Sequence, residues 1–534
     1  MAAHEPQAAL NRAEWITLTA LGGTLIVLRV IALFHCSVDS DETHHLHVAW
    51  GWTAGLVQYR DVFDNHAPLF HMLSAPLIGF LGERADIVIL MRIAMVPLSI
   101  VALLSAFFIA HRLFSMRVAL WTMIVVAAYP PFFLKSLEYR TDNLWTALSM
   151  AAVALLVAGR RVLAGFVLGC ALCTSMKTLP LVMVLLVAGL VIHFLIDRNG
   201  WRLPTGGWQF FAPAAAFLIA PSILAAFFYF QNAWHSMLYC VFEFNLLATR
   251  LRAHPGLRGV LYLVCLLLMI LFAVRIGVRM DRHRFLLLFV VVAFFLTTQA
   301  FWPILSQRDY LAVMPLMAMF LVAYTISRGA SVVAVLAPAA LTLVFLASLF
   351  RYTGGFRDRA GEQIAAMREV LALTRPGDCV MDLKGETIYR PRPFYYALET
   401  IARAAISRHL IADTIPEAVI AGRCHVAGAD ALFFPPRARA FLTKHFLDLG
   451  ALRASGQWIR SDGSFSVAVP GRYVIVGRNG SVRGVLDGSA VGGAVSLDAG
   501  NHRFIRATAD ERLACFWADA FERGYSPFQR RSFR

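Results

Sequence analysis

The chain has 534 residues, of which 59% are hydrophobic and 15% are charged, and its mean hydropathy is +0.64. This composition excludes an ordinary soluble globular protein, which carries more charge and fewer long apolar blocks. The net charge of +16 does not indicate a nucleic-acid partner, because the chain has no platform of interleaved basic and aromatic residues that would bind nucleic acid. Lys and Arg in the loops of a membrane protein explain this charge more simply.

Apolar blocks of about twenty residues, the length that crosses a bilayer, recur from the N-terminus to residue 350. The first block follows a short polar segment and lacks a small-residue cleavage site, so we expect it to be a retained span and not a signal peptide. About eleven spans are predicted, at residues 15–34, 86–110, 117–134, 143–158, 161–176, 178–196, 210–230, 257–275, 284–302, 309–326 and 331–350.

The loops between these spans differ in charge, and this difference predicts their sidedness. With the N-terminus in the cytoplasm, every cytoplasmic connection contains Arg, and the densest basic segment, residues 275–284, is among them. The opposite side receives residues 35–85, 135–142, 231–256 and 303–310. An odd number of spans places the C-terminal region there as well. The sequence therefore predicts a multi-pass protein of the cytoplasmic (inner) membrane with a periplasmic or extracellular C-terminal region.

The composition changes sharply after residue 350. Residues 351–455 alternate helical stretches with short apolar runs, as in a small α/β unit. Residues 456–534 have short alternating strands broken by Gly, as in a small β-rich domain. The predicted fold class is thus a polytopic α-helical membrane protein, residues 1–350, followed by a soluble α/β plus β-rich region. Cys379 and Cys424 lie in this region and could pair in an oxidising compartment.

The segment after the first predicted span is the richest in residues that can do chemistry. Asp41 and Glu42 stand near its start, and Asp64 and His66 lie further along. Carboxylates with neighbouring His can act as general bases or bind a divalent metal ion. Three further His between these pairs also offer metal ligands. The alternative for Asp41 and Glu42 is a structural role, in which they cap the helix that follows.

Several short motifs occur in order, all on the predicted outer side. They are Asp41-Glu42, YRDVFDNHAP at 59–68, EYRTD at 138–142, SMK at 175–177 and QRDY at 307–310. In these motifs, residues 10–350 resemble membrane glycosyltransferases of the GT-C fold. The closest resemblance is to family 39, the dolichyl-phosphate-mannose–protein mannosyltransferase-like group, with its bacterial aminoarabinose transferase relatives. The chain departs from the pattern in having a single Pro after His66 and in having Asp309 between Arg308 and Tyr310.

The resemblance implies an inverting transfer of a sugar from a polyprenyl-phosphate carrier. In such a reaction a carboxylate accepts the proton of the acceptor, and cations stabilise the departing phosphate. The implied catalytic residues are Asp41, Glu42 and Asp142. The implied donor-phosphate ligands are Lys177, Arg308, Arg140 and Tyr310. A divalent metal ion held by Asp64 and His66 is a further way to stabilise the phosphate.

Two of these assignments have structural alternatives. Asp142 stands where it could cap the helix of the fourth predicted span, and Lys177 could simply reach the membrane interface from a short hairpin. The C-terminal region shows no catalytic constellation. We expect its β-rich end to bind glycan, to cap the active-site cavity or only to stabilise the fold.

The sequence thus predicts a cell-envelope glycosyltransferase with a hexosyl or pentosyl polyprenyl-phosphate donor. Its acceptor is a glycan, a lipid or a protein, and membrane lipid surrounds it. A transporter or flippase of a lipid-linked or polar substrate is the main alternative, because that class also has many spans and intramembrane charges. A membrane anchor for the C-terminal region is a third. The charged residues cluster at the outer ends of spans and not near the midplane, which favours the enzyme.

Overall fold

A computed structural model gives the fold of the chain. It describes residues 10–191, 208–250, 264, 282–302, 305–328, 333–429, 433–506 and 512–529. These residues form two compact units, each assembled from separate stretches of sequence. The first unit takes its residues from Met1–Ser37, Asn65–Leu73 and Ile89–Arg359, and the second from Val38–Asp64, Ser74–Val88 and Ala360–Arg534.

The helices are numbered in chain order. They are α1 (Arg12–His35), α2 (Ser40–Thr53), α3 (Leu69–Leu81), α4 (Ile87–Leu113), α5 (Met116–Ala128), α6 (Pro130–Lys135), α7 (Thr141–Val157), α8 (Arg161–Leu172), α9 (Thr178–Val191), α10 (Trp208–Phe230), α11 (Trp234–Leu238), α12 (Phe244–Arg250), α13 (Arg282–Phe301), α14 (Met314–Arg328), α15 (Val333–Thr353), α16 (Ala360–Leu373), α17 (Thr400–Ser407), α18 (Ile415–Ala421), α19 (Pro436–His445) and α20 (Ala518–Glu522). A π-helical turn spans Tyr239–Glu243, and a 3-10 helix spans Gln307–Tyr310.

Many of these helices are apolar, as a membrane protein requires. In the described part of the chain, four are long and apolar enough to cross a membrane: Arg12–His35, Ile87–Leu113, Phe211–Phe230 and Ala334–Thr353. Shorter apolar helices accompany them at Leu69–Leu81, Met116–Ala128, Thr141–Val157, Arg161–Leu172, Thr178–Leu190, Leu286–Gln299 and Met314–Ser327. The membrane fold is confirmed in this coarser form. The count of about eleven spans stays a prediction, and the span at 257–275 lies almost wholly outside the described residues.

Two predicted segments differ from the structure. Residues 35–85, predicted as a long loop, are largely helical because α2 and α3 lie within them. The span predicted at 117–134 is divided between α5 and α6. Pro130 has no N–H with which to continue the hydrogen bonding of α5, and it stands in the first turn of α6 instead.

Helices α8 and α10 of the first unit pack closely because two Gly face their contact. A Cβ atom on Gly165 would collide with the backbone carbonyl of Pro213, and one on Gly169 with that of Phe217. The two Gly are one helical turn apart, so they share a face of α8. This is the small-residue pattern that lets membrane helices pack backbone to backbone. Helix α8 leads into the link that carries Lys177.

The second unit contains α2 and a C-terminal sheet region. Its strands are β1 (Val380–Met381), β2 (Val426–Gly428), β3 (Phe446–Asp448), β4 (Leu452–Trp458), β5 (Ser464–Val467), β6 (Gly471–Gly477), β7 (Gly480–Ser481), β8 (Gly484–Leu486), β9 (Ser489–Val491), β10 (Val495–Leu497), β11 (Gly500–Arg506) and β12 (Ala514–Trp517). One sheet has the order β1-β2-β4-β12-β6-β10, with β3 beside β4 and β7 beside β6. The other has the order β5-β11-β8-β9.

The two sheets bury one core between them. Phe465 of β5 and Phe504 of β11 come from one sheet, and Tyr473 of β6 and Cys515 of β12 come from the other. All four side chains are buried. Facing sheets that share a core in this way form a β-sandwich.

The C-terminal region combines the two strand arrangements that the sequence predicts. Strands β1 and β2 are parallel, and β2 then pairs antiparallel with β4. Strand β4 also pairs with β12, so the predicted boundary between 455 and 456 falls within β4 and within one continuous sheet. The division of the C-terminal region into two domains stays a prediction. Cys379 and Cys424 form a disulfide that ties the residues preceding β1 and β2 together.

Candidate active site

Within the described part of the first unit, seven charged side chains meet where α6 ends, where α7 and α9 begin, and in the 3-10 helix. They are Lys135, Glu138, Arg140, Asp142, Lys177, Arg308 and Asp309. All seven lie at or beside the ends of apolar helices. We call them the charged cluster.

Lys177 is held between two carboxylates of the charged cluster. Its Nζ lies 2.6 Å from Asp142 Oδ1 and 2.6 Å from Asp309 Oδ1. It also lies 5.5 Å from the centre of the Trp145 ring. Burial alone would lower the pKa of the Lys177 ammonium, but the two carboxylates outweigh burial and hold this pKa above its usual value. Lys177 is therefore a fixed positive charge at neutral pH.

Glu138 joins the other cations of the charged cluster. Its carboxylate lies 2.5 Å from Lys135 Nζ, 3.3 Å from Arg308 Nη2 and 4.0 Å from Arg140 Nε. Arg140 Nε in turn lies 3.3 Å from Asp142 Oδ2. The ion pairs therefore form one connected network.

Local backbone structure places these side chains. Ser306 and Asp309 form a reciprocal cap on the 3-10 helix, and Ser306 N donates to Asp309 Oδ2 at 2.6 Å. The other oxygen of the same carboxylate thus faces Lys177. Asn143 Nδ2 donates to the carbonyl oxygen of Glu138 at 2.5 Å and fixes the loop before α7. Asp142 stands in the first turn of α7, where a carboxylate is favoured by the helix dipole.

Among the residues that the structure describes, the charged cluster carries one more positive than negative charge, because it contains four cationic and three acidic side chains. Buried or half-buried ion networks of this density are costly to desolvate, and they are frequent at functional sites. A network with a positive excess beside apolar helices is suited to an anionic group on a lipid.

The second unit contains the other predicted catalytic residues. Glu42 is fully buried and caps α2: its Oε1 accepts from Asp39 N at 2.9 Å, and the Asp39 side chain accepts from Asp41 N at 3.0 Å. Glu42 therefore has the helix-capping role that was the structural alternative for this residue. Asp41, in contrast, directs Oδ1 at Lys384 Nζ, 2.5 Å away.

His44 and Asp64 also lie together in the second unit. His44 Nδ1 donates to the carbonyl oxygen of Lys384 at 2.8 Å, so this nitrogen carries a hydrogen. His44 Nε2 then faces Asp64 Oδ1 at 3.4 Å. When the His44 ring is neutral, His44 Nε2 and Asp64 Oδ1 each carry a lone pair and neither carries a hydrogen. A proton or a metal ion between them would bind both lone pairs. The pair therefore fits a metal site, and His66 follows Asp64 by two residues in the chain.

A chain of two hydrogen bonds orients the Asp64 carboxylate of this pair. Gln58 Nε2 donates to Asp64 Oδ2 at 2.7 Å, and Trp52 Nε1 donates to Gln58 Oε1 at 2.9 Å. Partners of this kind orient metal ligands in proteins.

Comparisons with known proteins bear on the fold. No protein-family profile and no curated protein matches the sequence. The crystal structure of ArnT, the aminoarabinose transferase, from Cupriavidus metallidurans bound to undecaprenyl phosphate matches with a TM-score of 0.58. The identity is 12%, and the match covers 83% of this chain and 98% of that one. The chain has the GT-C fold.

A structure of the Archaeoglobus fulgidus oligosaccharyltransferase tethered to an acceptor peptide is also similar, with a TM-score of 0.47 and 10% identity. It is matched over 78% of this chain and 69% of that one.

Within this GT-C fold, the structure brings four predicted site residues into the charged cluster: Arg140, Asp142, Lys177 and Arg308. Tyr310, the fifth in the first unit, has its hydroxyl 2.6 Å from Gln299 Nε2, from which it accepts. Asp41, Glu42 and Asp64 belong to the second unit, and His66 belongs to the first.

Sequence reasoning assigned no role to four charged partners, of which Glu138 lies within the EYRTD motif itself. Lys135 lies just before the EYRTD motif, and Asp309 was visible only as a departure from the family pattern. Lys384 had no signal at all, because it is 343 positions from Asp41 in a region without motifs.

Proposed function

We propose that this protein is an inverting glycosyltransferase that moves a sugar from a polyprenyl phosphate to an acceptor at the outer face of the cytoplasmic membrane. The observation that carries the proposal is the charged cluster, with its positive excess, in a chain of GT-C fold. The ArnT of the same fold binds undecaprenyl phosphate. A polyprenyl-phosphate donor has a phosphate head, which the cations of this cluster would bind, and an apolar chain, which suits the neighbouring apolar helices.

The charged cluster would bind and stabilise the leaving group. When the bond between the anomeric carbon and the phosphate oxygen breaks, the carrier phosphodiester becomes a monoester and gains negative charge. Cations fixed in advance stabilise that charge without having to reorganise. Lys177, Arg308 and Arg140 are the proposed ligands of this phosphate, and Tyr310 supports them. Asp142 holds two of these cations in place.

Asp41 is the proposed general base. The acceptor's nucleophilic group would attack the anomeric carbon from the side opposite the leaving phosphate, and its proton would pass to the Asp41 carboxylate. Glu42 caps α2 and so positions Asp41.

We also propose a site for one divalent metal ion. His44 and Asp64 of the second unit would hold it, with His66 as the further ligand that the sequence alone suggests, and when bound it would act as a Lewis acid. The donor's sugar would be a hexose or a pentose, and the acceptor a glycan, a lipid or a protein. Family 39 and a mannosyltransferase-like activity are the proposed class.

The test uses purified protein in detergent and a panel of polyprenyl-phosphate sugars, and mass spectrometry measures free polyprenyl phosphate. We expect release from one donor by the wild type, and a loss of about a hundredfold or more in Asp41→Asn, since a general base contributes that much. Asp86→Asn is the matched control, because Asp86 is a half-exposed carboxylate paired with Arg84 in the same unit. Parallel samples with EDTA test the metal.

Survival of both donor hydrolysis and transfer in Asp41→Asn would overturn the proposal. Movement of a lipid-linked substrate across proteoliposome membranes with no chemical change would favour the transporter instead.

A further inference from the structure

The C-terminal region contributes a loop, Asp382–Ile388, that contacts α2 within the second unit. Helix α2 carries Asp41, the proposed general base. Sequence reasoning gave this region no part in catalysis, so the contacts of the loop are informative about what it does.

The loop has a fixed shape of its own. The buried Asp382 carboxylate accepts hydrogen bonds from the backbone N–H groups of Gly385 and Thr387, both at 2.8 Å, and from Thr387 Oγ1 at 2.7 Å. Arg392 Nε donates to the same carboxylate at 2.8 Å. A carboxylate with this many donors locks the backbone around it.

The loop accepts hydrogen bonds from two His on one face of α2. His44 Nδ1 donates to the carbonyl of Lys384 and His47 Nδ1 donates to that of Ile388, each at 2.8 Å. Burial lowers the pKa of His47 to about 4, so its ring is neutral. Gly385, at φ +100°, packs against the His47 ring so closely that a Cβ atom would lie 2.6 Å from His47 Cβ. Only Gly suits that position.

Lys384 stands on the part of the loop that faces Asp41. Its Nζ lies 2.5 Å from Asp41 Oδ1, and the two side chains are 13% and 29% exposed. Asp41 precedes His44 by three residues, so both lie on the same face of α2. The loop therefore holds the helix and the carboxylate at once.

The same region also contacts the YRDVFD motif. The Tyr395 hydroxyl donates to the carbonyl oxygen of Tyr59, a residue with a φ of +73°. The Phe63 ring lies 5.4 Å from the Tyr395 ring and 5.3 Å from the Tyr396 ring. Helix α2 and the YRDVFD motif are thus both packed against C-terminal residues.

From these contacts we infer that Lys384 is a positioning residue for the Asp41 carboxylate, supplied by the C-terminal region. This inference rests on the proposed function. Lys384 engages Oδ1 and fixes the rotamer of Asp41, and the hydrogen bonds to His44 and His47 fix the helix beneath it. The role of the C-terminal region is then to order the general base, and not only to stabilise the fold.

The test compares Lys384→Met, Lys384→Arg, Asp41→Asn and the double variant Asp41→Asn/Lys384→Met in the release assay. Lys384→Met is expected to lower kcat by about ten- to a hundredfold, because a small misplacement of a catalytic group has effects of that size. The KM for the donor stays unchanged, since Lys384 is not a donor ligand. Lys384→Arg keeps more activity, and the double variant is no slower than Asp41→Asn alone. Lys444→Met, an exposed Lys of the same region, is the control.

An unchanged or raised kcat in Lys384→Met would overturn the inference, as would additive losses in the double variant. Thermal unfolding of the same four proteins needs no activity, so it separates this failure from failure of the proposed function. A double variant that melts no lower than the less stable single variant supports the Asp41–Lys384 contact. Additive losses in Tm overturn it, whether or not any donor is turned over.

Discussion

At the scale of single residues, Lys177 is the side chain on which the charged cluster depends most. It contacts Asp142 and Asp309 at equal distances, and it is buried. A buried cation costs several kcal/mol of desolvation, and only close partners offset that cost. The two carboxylates in turn depend on Lys177, because without it they would face each other across a site from which water is largely excluded.

We expect Lys177→Met to lower the free energy of unfolding by about 3 kcal/mol, since it removes one partner of a buried ion network. Thermal unfolding in detergent measures the loss. Adding Asp142→Asn to Lys177→Met should recover part of it, because one of the two carboxylates that lose their shared cation is then neutral. A Lys177→Met protein that melts at the wild-type temperature would contradict this account of the cluster.

His425 gives the second unit a dependence on pH. Its ring stacks on Trp517, with the ring centres 5.2 Å apart, and its Nδ1 lies 2.7 Å from Ser455 Oγ. Burial lowers the pKa of His425 to about 4, against the pull of the Asp519 and Asp378 carboxylates and with a small contribution from Arg423.

The folded pKa of His425 is below its unfolded value of about 6.5, so protonation favours unfolding. The stability that it contributes is complete above pH 6.5 and is lost as pH falls toward 4, by about 3 kcal/mol in total. We expect Tm to fall less steeply over this range in His425→Phe, which keeps the stacking and cannot be protonated. Equal slopes of Tm against pH in the two proteins would refute the assignment.

At the scale of elements, the contact between α8 and α10 depends on the absence of side chains. Gly165 and Gly169 let the α10 backbone approach at Pro213 and Phe217. Membrane helices gain little from the hydrophobic effect when they associate, so close packing of this kind must supply much of their attraction.

Gly169→Ala should therefore lower the stability by about 1–3 kcal/mol, the usual cost of an overpacked contact, and reduce the amount of folded protein that is extracted from membranes. Gly189→Ala in α9 is the matched control, because a Cβ atom there meets nothing within 4 Å. If both variants express and melt alike, the close approach of α8 and α10 is not important for stability.

The sequence predicted the elements whose signal is local. Apolar length located the membrane helices, and the alternating strands of the C-terminal region are present. Helix α2 was not predicted, because it is short and polar and has no apolar stripe. Asp39 and Glu42 nevertheless have the spacing of a reciprocal cap. The division of α5 from α6 could have been predicted from Pro130.

At the scale of the whole molecule, the chain is not divided along its sequence. The second unit combines segments that are hundreds of residues apart in the sequence, and Asp41 and Lys384 meet within it for that reason. Ordered motifs pointed to four members of the charged cluster, because family resemblance carries long-range information. No local pattern could show that a C-terminal loop holds α2, since hydrogen bonds to backbone carbonyls leave no trace in residue types.

The central claim is that a sugar leaves a polyprenyl phosphate and forms a new bond on this protein. The most direct measurement reconstitutes the wild type in liposomes with a polyprenyl-phosphate sugar donor and candidate acceptors, and quantifies free polyprenyl phosphate and glycosylated acceptor by mass spectrometry. We expect the two products to appear in equal amounts and both to be lost in Asp41→Asn. Intact donor that has moved to the other leaflet, with neither product formed, would contradict it.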